Sequence, residues 1–373
     1  MSEEQAQQRT GKVTAELFEH VILRRLGKKD DDVLVGPQHG VDVGVVRVAG
    51  GIAMALTADP VFIVPAYGWE RAAWFAVHIL ASDASTSGLP LRWMSVDLNL
   101  PPGVSDEDLT ALWDSFHATC ADLGIAIVTG HTGRYDGCEW PMVGGATFMA
   151  LGPSDAYVTP TMARPGDAVV VTKGAAIETT ALFAATFPDR LAAGVGEETV
   201  KAADALFESM TVVPEAVLAR EFGLRDAGVT SMHDATEGGV IGGLLEVAAA
   251  SNKGIRVDRD AIPIRPEVVA VCDHVGIDPY TAISEGTLIA TVVPGRAGAY
   301  VTALAGAGID AAVVGEILPL DEGRTVVTEG REEPLTHPGL DPFWGAFGAW
   351  AADAAAGTGG AAAGPAGGPA AGP

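Results

Sequence analysis

The sequence predicts a mixed fold of helices and sheets, α+β or mixed α/β, arranged in two domains. Three observations predict it. Segments with apolar residues at a period of two alternate with segments at the helical period. The links between them are mostly short. A stretch punctuated by glycine and proline, Gly152 to Pro165, breaks the alternation near the middle of the 373 residues. With 48% hydrophobic and 19% charged residues, the chain has a real core to bury.

Taken in order, Glu16 to Leu26 predicts a helix with Phe18, Val21, Ile22 and Leu26 on one face, ended by Gly27. Val41 to Val48 and Ile52 to Thr57 read as strands about the turn Ala49-Gly50-Gly51. Trp69 to Ala84 reads as a helix, small and apolar on one side. Arg92 to Leu100 reads as a strand stopped by Pro101-Pro102. Ser105 to Leu123 is an amphipathic helix: Ser105 caps it, Asp106, Glu107 and Asp108 occupy its first turn, and Leu109, Leu112, Phe116, Cys120 and Leu123 form its apolar stripe. Ile125 to Val128 and Pro141 to Leu151 are the remaining strands of the first domain. In the second, Asp167 to Thr172 is a short buried-type strand. Glu178 to Phe187, Val200 to Glu208, Pro214 to Phe222 and Val240 to Ala250 are helical, and Ile283 to Val292 and Ala311 to Ile317 are late strands. The expected organisation is a disordered N-terminus over 1–11, domains over 12–155 and 156–345, and a disordered tail over 346–373. Ala351 to Pro373 is nearly all Ala, Gly and Pro and has little to bury.

The bulk properties exclude several classes. The formal charge is −25 and no basic patch stands out, which argues against a nucleic-acid partner. No run of about twenty apolar residues suggests a membrane span, and Met1 to Thr10 lacks a signal-peptide core, so a cytoplasmic location is expected. Cys120, Cys138 and Cys272 are odd in number and far apart, which fits reduced thiols rather than a disulfide framework or a zinc site.

Chemistry concentrates in His233-Asp234-Ala235-Thr236-Glu237-Gly238-Gly239, directly before the apolar run Val240 to Ala250. A helix start offers unpaired N–H groups and a positive dipole end, which suits a phosphate or another anion. Glycine there costs about 1 kcal/mol relative to Ala, so the pair points to a close backbone approach. A capping-box-like start made by Asp234 and Glu237 accounts for the same residues. Asp42, Asp59 and Asp83 sit at the ends of predicted elements. Convergent aspartates hold Mg²⁺ against phosphate oxygens, although each alone also fits a turn or cap. His78 lies five residues before Asp83 on an apolar helix, where a satisfied core histidine is the competing reading. Thr129-Gly130-His131-Thr132 follows a strand as a candidate ligand loop. Lys173 ends the strand Val169 to Thr172, placed for phosphate or for solvent; no P-loop pattern is present. Glu285, in Ser284-Glu285-Gly286-Thr287, adds a carboxylate beside a glycine.

Together these pieces resemble the AIR synthase (PurM-like) superfamily, which includes AIR synthase, thiamine-monophosphate kinase and the hydrogenase maturation factor HypE. Seven pieces fall in the family's order: Gly40-Val41-Asp42-Val43-Gly44, Thr57-Ala58-Asp59-Pro60, Ser82-Asp83-Ala84-Ser85, Thr129-Gly130-His131-Thr132, Gly166-Asp167 through Lys173-Gly174, His233 to Gly239, and Ser284 to Thr287. The resemblance covers about residues 12 to 330, and the wording Asp-Ala-Thr-Glu-Gly-Gly-Val is most like the HypE branch. It implies a two-domain PurM-like fold whose first domain pairs with a second copy into a dimeric barrel. It implies ATP and Mg²⁺ as cofactors, the metal held by Asp42, Asp59 and Asp83, with Gly130, His131, Thr132 and Lys173 beside the nucleotide. Asp234, Glu237 and His78 are then the expected catalytic groups, and His233, Thr236 and Glu285 face a small-molecule or protein-borne substrate. The implied chemistry is ATP-driven phosphorylation of a substrate oxygen, with a thiamine-monophosphate-type kinase or a non-catalytic maturation partner as alternatives. Three features depart from the family pattern, one of them the absence of the N-terminal glycine-rich flap of typical relatives. Val41 replaces the first of its paired aspartates, and the last cysteine is Cys272, so the self-modification that HypE performs on a C-terminal cysteine is not expected here.

Overall fold

A computed structural model describes residue 13 and residues 15–357. The first domain is a six-stranded sheet made of β1 (Val33–Val35), β2 (Gly44–Ala49), β3 (Ile52–Phe62), β4 (Leu91–Leu100), β5 (Ala126–Arg134) and β6 (Met142–Pro153), with helices α1 (Trp69–Ser85) and α2 (Asp106–Asp122). Its order is β1-β2-β3-β6-β4-β5, antiparallel except where β5 joins β4. The small side of α1, Ala72, Ala73, Ala76 and Ala84, lets its backbone lie close to the sheet over Val61, Met94 and Phe148. The Ser105 hydroxyl caps α2 by accepting the Asp108 N–H at 3.0 Å. On the other side of the sheet Met54, Leu56, Trp93, Met149 and Leu151 are only half-buried, and Val128 is 54% exposed.

The second domain carries the strands β7 (Ala168–Thr172), β8 (Val229–Asp234), β9 (Gly254–Asp258), β10 (Leu288–Val292), β11 (Ala311–Leu318), β12 (Arg324–Thr328) and β13 (Arg331–Pro334). They form one sheet ordered β13-β12-β9-β11-β7-β10-β8, parallel only between β12 and β9. Its helices are α3 (Ile177–Thr186), α4 (Pro188–Val195), α5 (Glu197–Asp204), α6 (Val213–Phe222), α7 (Gly239–Ala250), α8 (Pro266–Val275), α9 (Ala297–Gly306) and α10 (Pro342–Gly357). The central strands are covered on both faces, so they read as continuous apolar runs. Val169, Val171 and Ile289 pack toward α7, while Val170, Leu288 and Ala290 pack toward α6 and α9. Among the described residues no helix is long and apolar enough to cross a membrane.

Several elements differ from the expectations. The N-terminal helix is a short turn, Ala15–Leu17, running into a π-helical turn, Phe18–Ile22. Val21, Ile22 and Leu26 are each more than 40% exposed, so the stripe buries too little to sustain a regular helix. Thr129 to Thr132 is not a loop: β5 runs through it, paired in parallel register with β4. The late strand begins at Leu288, and Ser284 to Thr287 is a turn held by a 2.8 Å bond between the Ser284 and Thr287 hydroxyls. The tail is ordered well past residue 346. Phe343, Phe347 and Trp350 lie on one face of α10, at spacings of four and three, and pack against Phe183 and Phe187. Residues 1–11 and 358–373, expected to be disordered, lie outside the described residues.

Candidate functional site

Carboxylates from both domains converge at the domain junction. Asp42 lies on the link between β1 and β2, Asp59 sits within β3, and Asp83 sits in the last turn of α1. Asp234 ends β8, Glu285 stands in the turn before β10, and Glu178 lies in the first turn of α3. A helix C-terminus repels a carboxylate, so Asp83 stands against its local field. Thr57 steadies it by donating from Oγ1 to Asp83 Oδ2 at 3.1 Å. The backbone N–H of Asp234 donates to Asp42 Oδ2 at 3.3 Å, and the Glu285 N–H donates to Glu178 Oε2 at 3.1 Å. Both carboxylate oxygens of Asp234 and one of Glu285 are buried and meet no donor from outside the cluster; the two carboxyls face each other, close enough to share a proton.

The electrostatics follow from that crowding. Burial first, then the charges of Asp42 and Asp59, holds the Asp83 carboxyl well above its usual range. Burial pushes Asp234 up to about 7; a hydrogen bond with Glu285 opposes it, Asp42 adds to it, and the His233 charge opposes it. Burial and Asp234 raise Glu285, and burial raises Glu178 to about 8. The cluster is short of positive charge. Among the described residues no group of three or more His, Cys, Asp or Glu side chains is placed to hold a metal ion by itself. A hard cation at this junction would take most of its shell from water and phosphate oxygens.

Other expected residues stand elsewhere. His233 does not face a substrate space. Its Nδ1 lies 2.9 Å from Asp42 Oδ1 and its Nε2 lies 2.9 Å from Glu246 Oε2. Burial disfavours its charge, but the two carboxylates outweigh that and raise its pKa. Lys173 is spent inward, with Nζ 2.5 Å from Glu215 Oε1 and 2.6 Å from the Thr211 carbonyl. His78 is buried, stacked on Trp74 at 4.1 Å, with Nδ1 2.8 Å from the Thr211 hydroxyl. Burial, and then the Lys173 charge, lowers it to about 4, so it is a neutral wall. Gly130 and His131 line, with Asp59, an open groove of about 620 Å³ across the first sheet. The register runs Asp59 to Ala146, Val96 and Gly130, three strand spacings or about 14 Å. His131 shares only that open groove with Asp59, about three strands away, and its Nε2 meets Tyr135 Oη at 2.6 Å.

The start of α7 also departs from expectation. The Gly238 N–H donates to Asp341 Oδ2 at 2.7 Å and the Ile241 N–H to the Tyr280 carbonyl at 3.0 Å. The glycines serve this packing: a Cβ on Gly239 would lie 2.6 Å from the Ala282 carbonyl oxygen. Protein groups already occupy donors that a phosphate needs, so the close approach is to the chain itself. Thr236 and Glu237 lie on the turn just before it. Glu178, Glu246 and Asp341 also belong to the site, though no family motif marks them. Glu246 is the one charge in the apolar run Val240 to Ala250, and Asp341-Pro342 carries the Asp-then-Pro signature of a helix start.

Two sheet-and-helix domains in series, meeting over a nest of carboxylates, define the class: a two-domain protein of the PurM-like fold. Residues 40–151 match the AIR synthase related protein N-terminal domain, and residues 164–328 match the AIR synthase related protein C-terminal domain. The chain belongs to this AIR synthase-related family, and it is HypE-like within it. The carbamoyl dehydratase HypE of Rhizobium leguminosarum bv. viciae is 27% identical over 319 residues, covering 83% of this chain and 85% of that protein. The crystal structure of Escherichia coli HypE superposes with a TM-score of 0.65 at 26% identity, covering 78% of this chain and 87% of that one. A HypE solved in complex with ATP shares the fold, with a TM-score of 0.60 at 21% identity, covering 90% and 98% of the two chains.

Proposed function

We propose that this chain is an ATP-dependent enzyme of the HypE type, activating an oxygen of its substrate by phosphoryl transfer. One observation carries the proposal: carboxylates from both domains crowd the junction, with Asp42 of the first held against His233 and Asp234 of the second, and the buried Asp234 and Glu285 carboxyls facing each other. Mg²⁺ suits such a crowd of carboxylates, because its ligands are carboxylate oxygens, waters and phosphates. Asp42, Asp59 and Asp83 would hold it. When bound, it supplies charge neutralisation for the nucleotide phosphates. The match to proteins named carbamoyl dehydratase, and the HypE crystallised with ATP, support nucleotide as cosubstrate and a carboxamide-type oxygen as acceptor.

The residues of the chain divide the remaining work. Asp234, raised to about 7, sits where a carboxylate exchanges a proton near neutral pH. Glu285 faces it and shares that proton demand. The second domain leaves the aspartates only partly exposed, and that shielding from water strengthens the charge interactions in the cleft. The half-buried apolar side of the first sheet, with Met54, Leu56, Trp93 and Met149, supports pairing with a second copy of the chain.

Phosphorus NMR of the protein incubated with ATP, Mg²⁺ and primary carboxamides tests the proposal. Carboxamide-dependent release of ADP and phosphate is expected. A stable phosphorylated product would instead identify a kinase. Bound nucleotide with no turnover across the acceptors would identify a non-catalytic partner.

A further inference from the structure

We propose that Glu246, acting through His233, is a positioning residue that fixes the Asp42 carboxylate from the opposite domain. The inference rests on the reading of Asp42 as part of the cation-binding cleft. Asp42 stands on the link between β1 and β2, outside any strand. Its named polar partners come from the second domain: the His233 ring at 2.9 and 3.1 Å from its two oxygens, and the Asp234 N–H at 3.3 Å. An imidazole bonded through one nitrogen alone can still turn about its Cβ–Cγ bond. The 2.9 Å contact from Nε2 to Glu246 Oε2 removes that freedom. The three side chains are only 10%, 4% and 12% exposed for Asp42, His233 and Glu246.

Glu246 also holds the approach to Asp42. Gly40 has φ +72, and a Cβ built there would lie 2.8 Å from Glu246 Cβ and 3.2 Å from its carbonyl oxygen. His39 Nδ1 lies 3.8 Å from Glu246 Oε1. One residue of α7 therefore meets the link before Asp42 and, through His233, the Asp42 carboxylate itself. A buried ion network of this kind is weak evidence for stability, since apolar replacements often do as well. Its best physical account here is orientation: one carboxylate of the cleft is aimed by a partner 204 positions away.

Mn²⁺ titration of nucleotide-free protein, followed by electron paramagnetic resonance, tests this in four variants: Glu246→Ala, Glu246→Gln, Asp42→Ala and the Asp42→Ala/Glu246→Ala double. Glu246→Ala should weaken Mn²⁺ binding at least about tenfold, as loss of an outer-shell partner does. Glu246→Gln keeps an acceptor for His233 and should recover most of the affinity. In the Asp42→Ala background, Glu246→Ala should add nothing. Wild-type affinity in Glu246→Ala, or an equal loss in both backgrounds, overturns the positioning role. If Asp42→Ala itself leaves Mn²⁺ binding unchanged, the cation-binding role of Asp42 fails instead. A crystal structure of Glu246→Ala then decides: Asp42 and His233 turned from their present contacts uphold the positioning, and both in place overturn it.

Discussion

Asp341 grips Gly238: its carboxylate accepts the glycine N–H at 2.7 Å, and through its other oxygen the Phe343 N–H at 2.9 Å. The cap of the last helix is thereby tied to the turn that opens α7. Asp341→Ala removes a cap and leaves a buried donor unpaired, for a cost of about 1–3 kcal/mol. Urea unfolding should show a lower midpoint with an unchanged slope. An unchanged midpoint would show that solvent or a neighbour replaces the carboxylate without loss.

The pH dependence has a definite sign. Burial is the first cause that raises Asp341 to about 6, Asp234 to about 7 and Glu178 to about 8, from ordinary values of 3.8, 3.8 and 4.5. The folded state then holds more protons than the unfolded one across that window, so these groups cost stability as pH rises through it. Metal-free protein should melt higher at about pH 5.5 than at about pH 8, and added Mg²⁺ should narrow the difference. A melting temperature that climbs steadily to pH 8 in chelator contradicts this account.

Asp83→Asn should stabilise the metal-free protein by about 1 kcal/mol or more, because it removes a crowded carboxylate while keeping an acceptor for Thr57. Differential scanning calorimetry in chelator reads the shift. A loss of stability would mean that the Asp83 charge is compensated more fully than its neighbours imply.

Much of the fold is legible in local pattern. Ser105 with three acidic residues announces α2, and Val169 to Val171 announces a strand buried on both faces. The three aspartates stand out only through the ordered family motifs, since each alone reads as a turn or cap. What stays hidden depends on distant partners. The donor that Asp341 takes lies 103 residues away, and the partner of His233 lies 191 away at Asp42. No window of sequence displays such a meeting, so the start of α7 looks free when it is occupied. In α10, Ala-rich composition masks three aromatic residues whose spacing places them on one face.

Lys173 and Glu215 form a pair with side chains 10% and 0% exposed. Lys173→Met should cost about 3–5 kcal/mol, because it strands a buried carboxylate. Adding Glu215→Leu should restore a substantial part of the loss in chemical denaturation. Equal destabilisation in the single and double variants would place the cost in packing rather than in the stranded charge.

Phe347→Ala should cost about 3 kcal/mol or more, since its ring packs against Phe183, Phe187 and Phe343 in the helical core. Thermal unfolding of the variant measures it. A neutral substitution would mean that α10 is dispensable to that core.

The most direct test is calorimetric titration of ATP into the wild-type protein and Asp83→Ala, each with and without Mg²⁺. A junction of carboxylates short of cations should bind ATP tightly only with Mg²⁺, and Asp83→Ala should lose that binding while its melting temperature stays near or above that of the wild type. Equal ATP affinity with and without Mg²⁺, or full Mg²⁺-dependent affinity retained in Asp83→Ala, contradicts a Mg²⁺–nucleotide site at this junction.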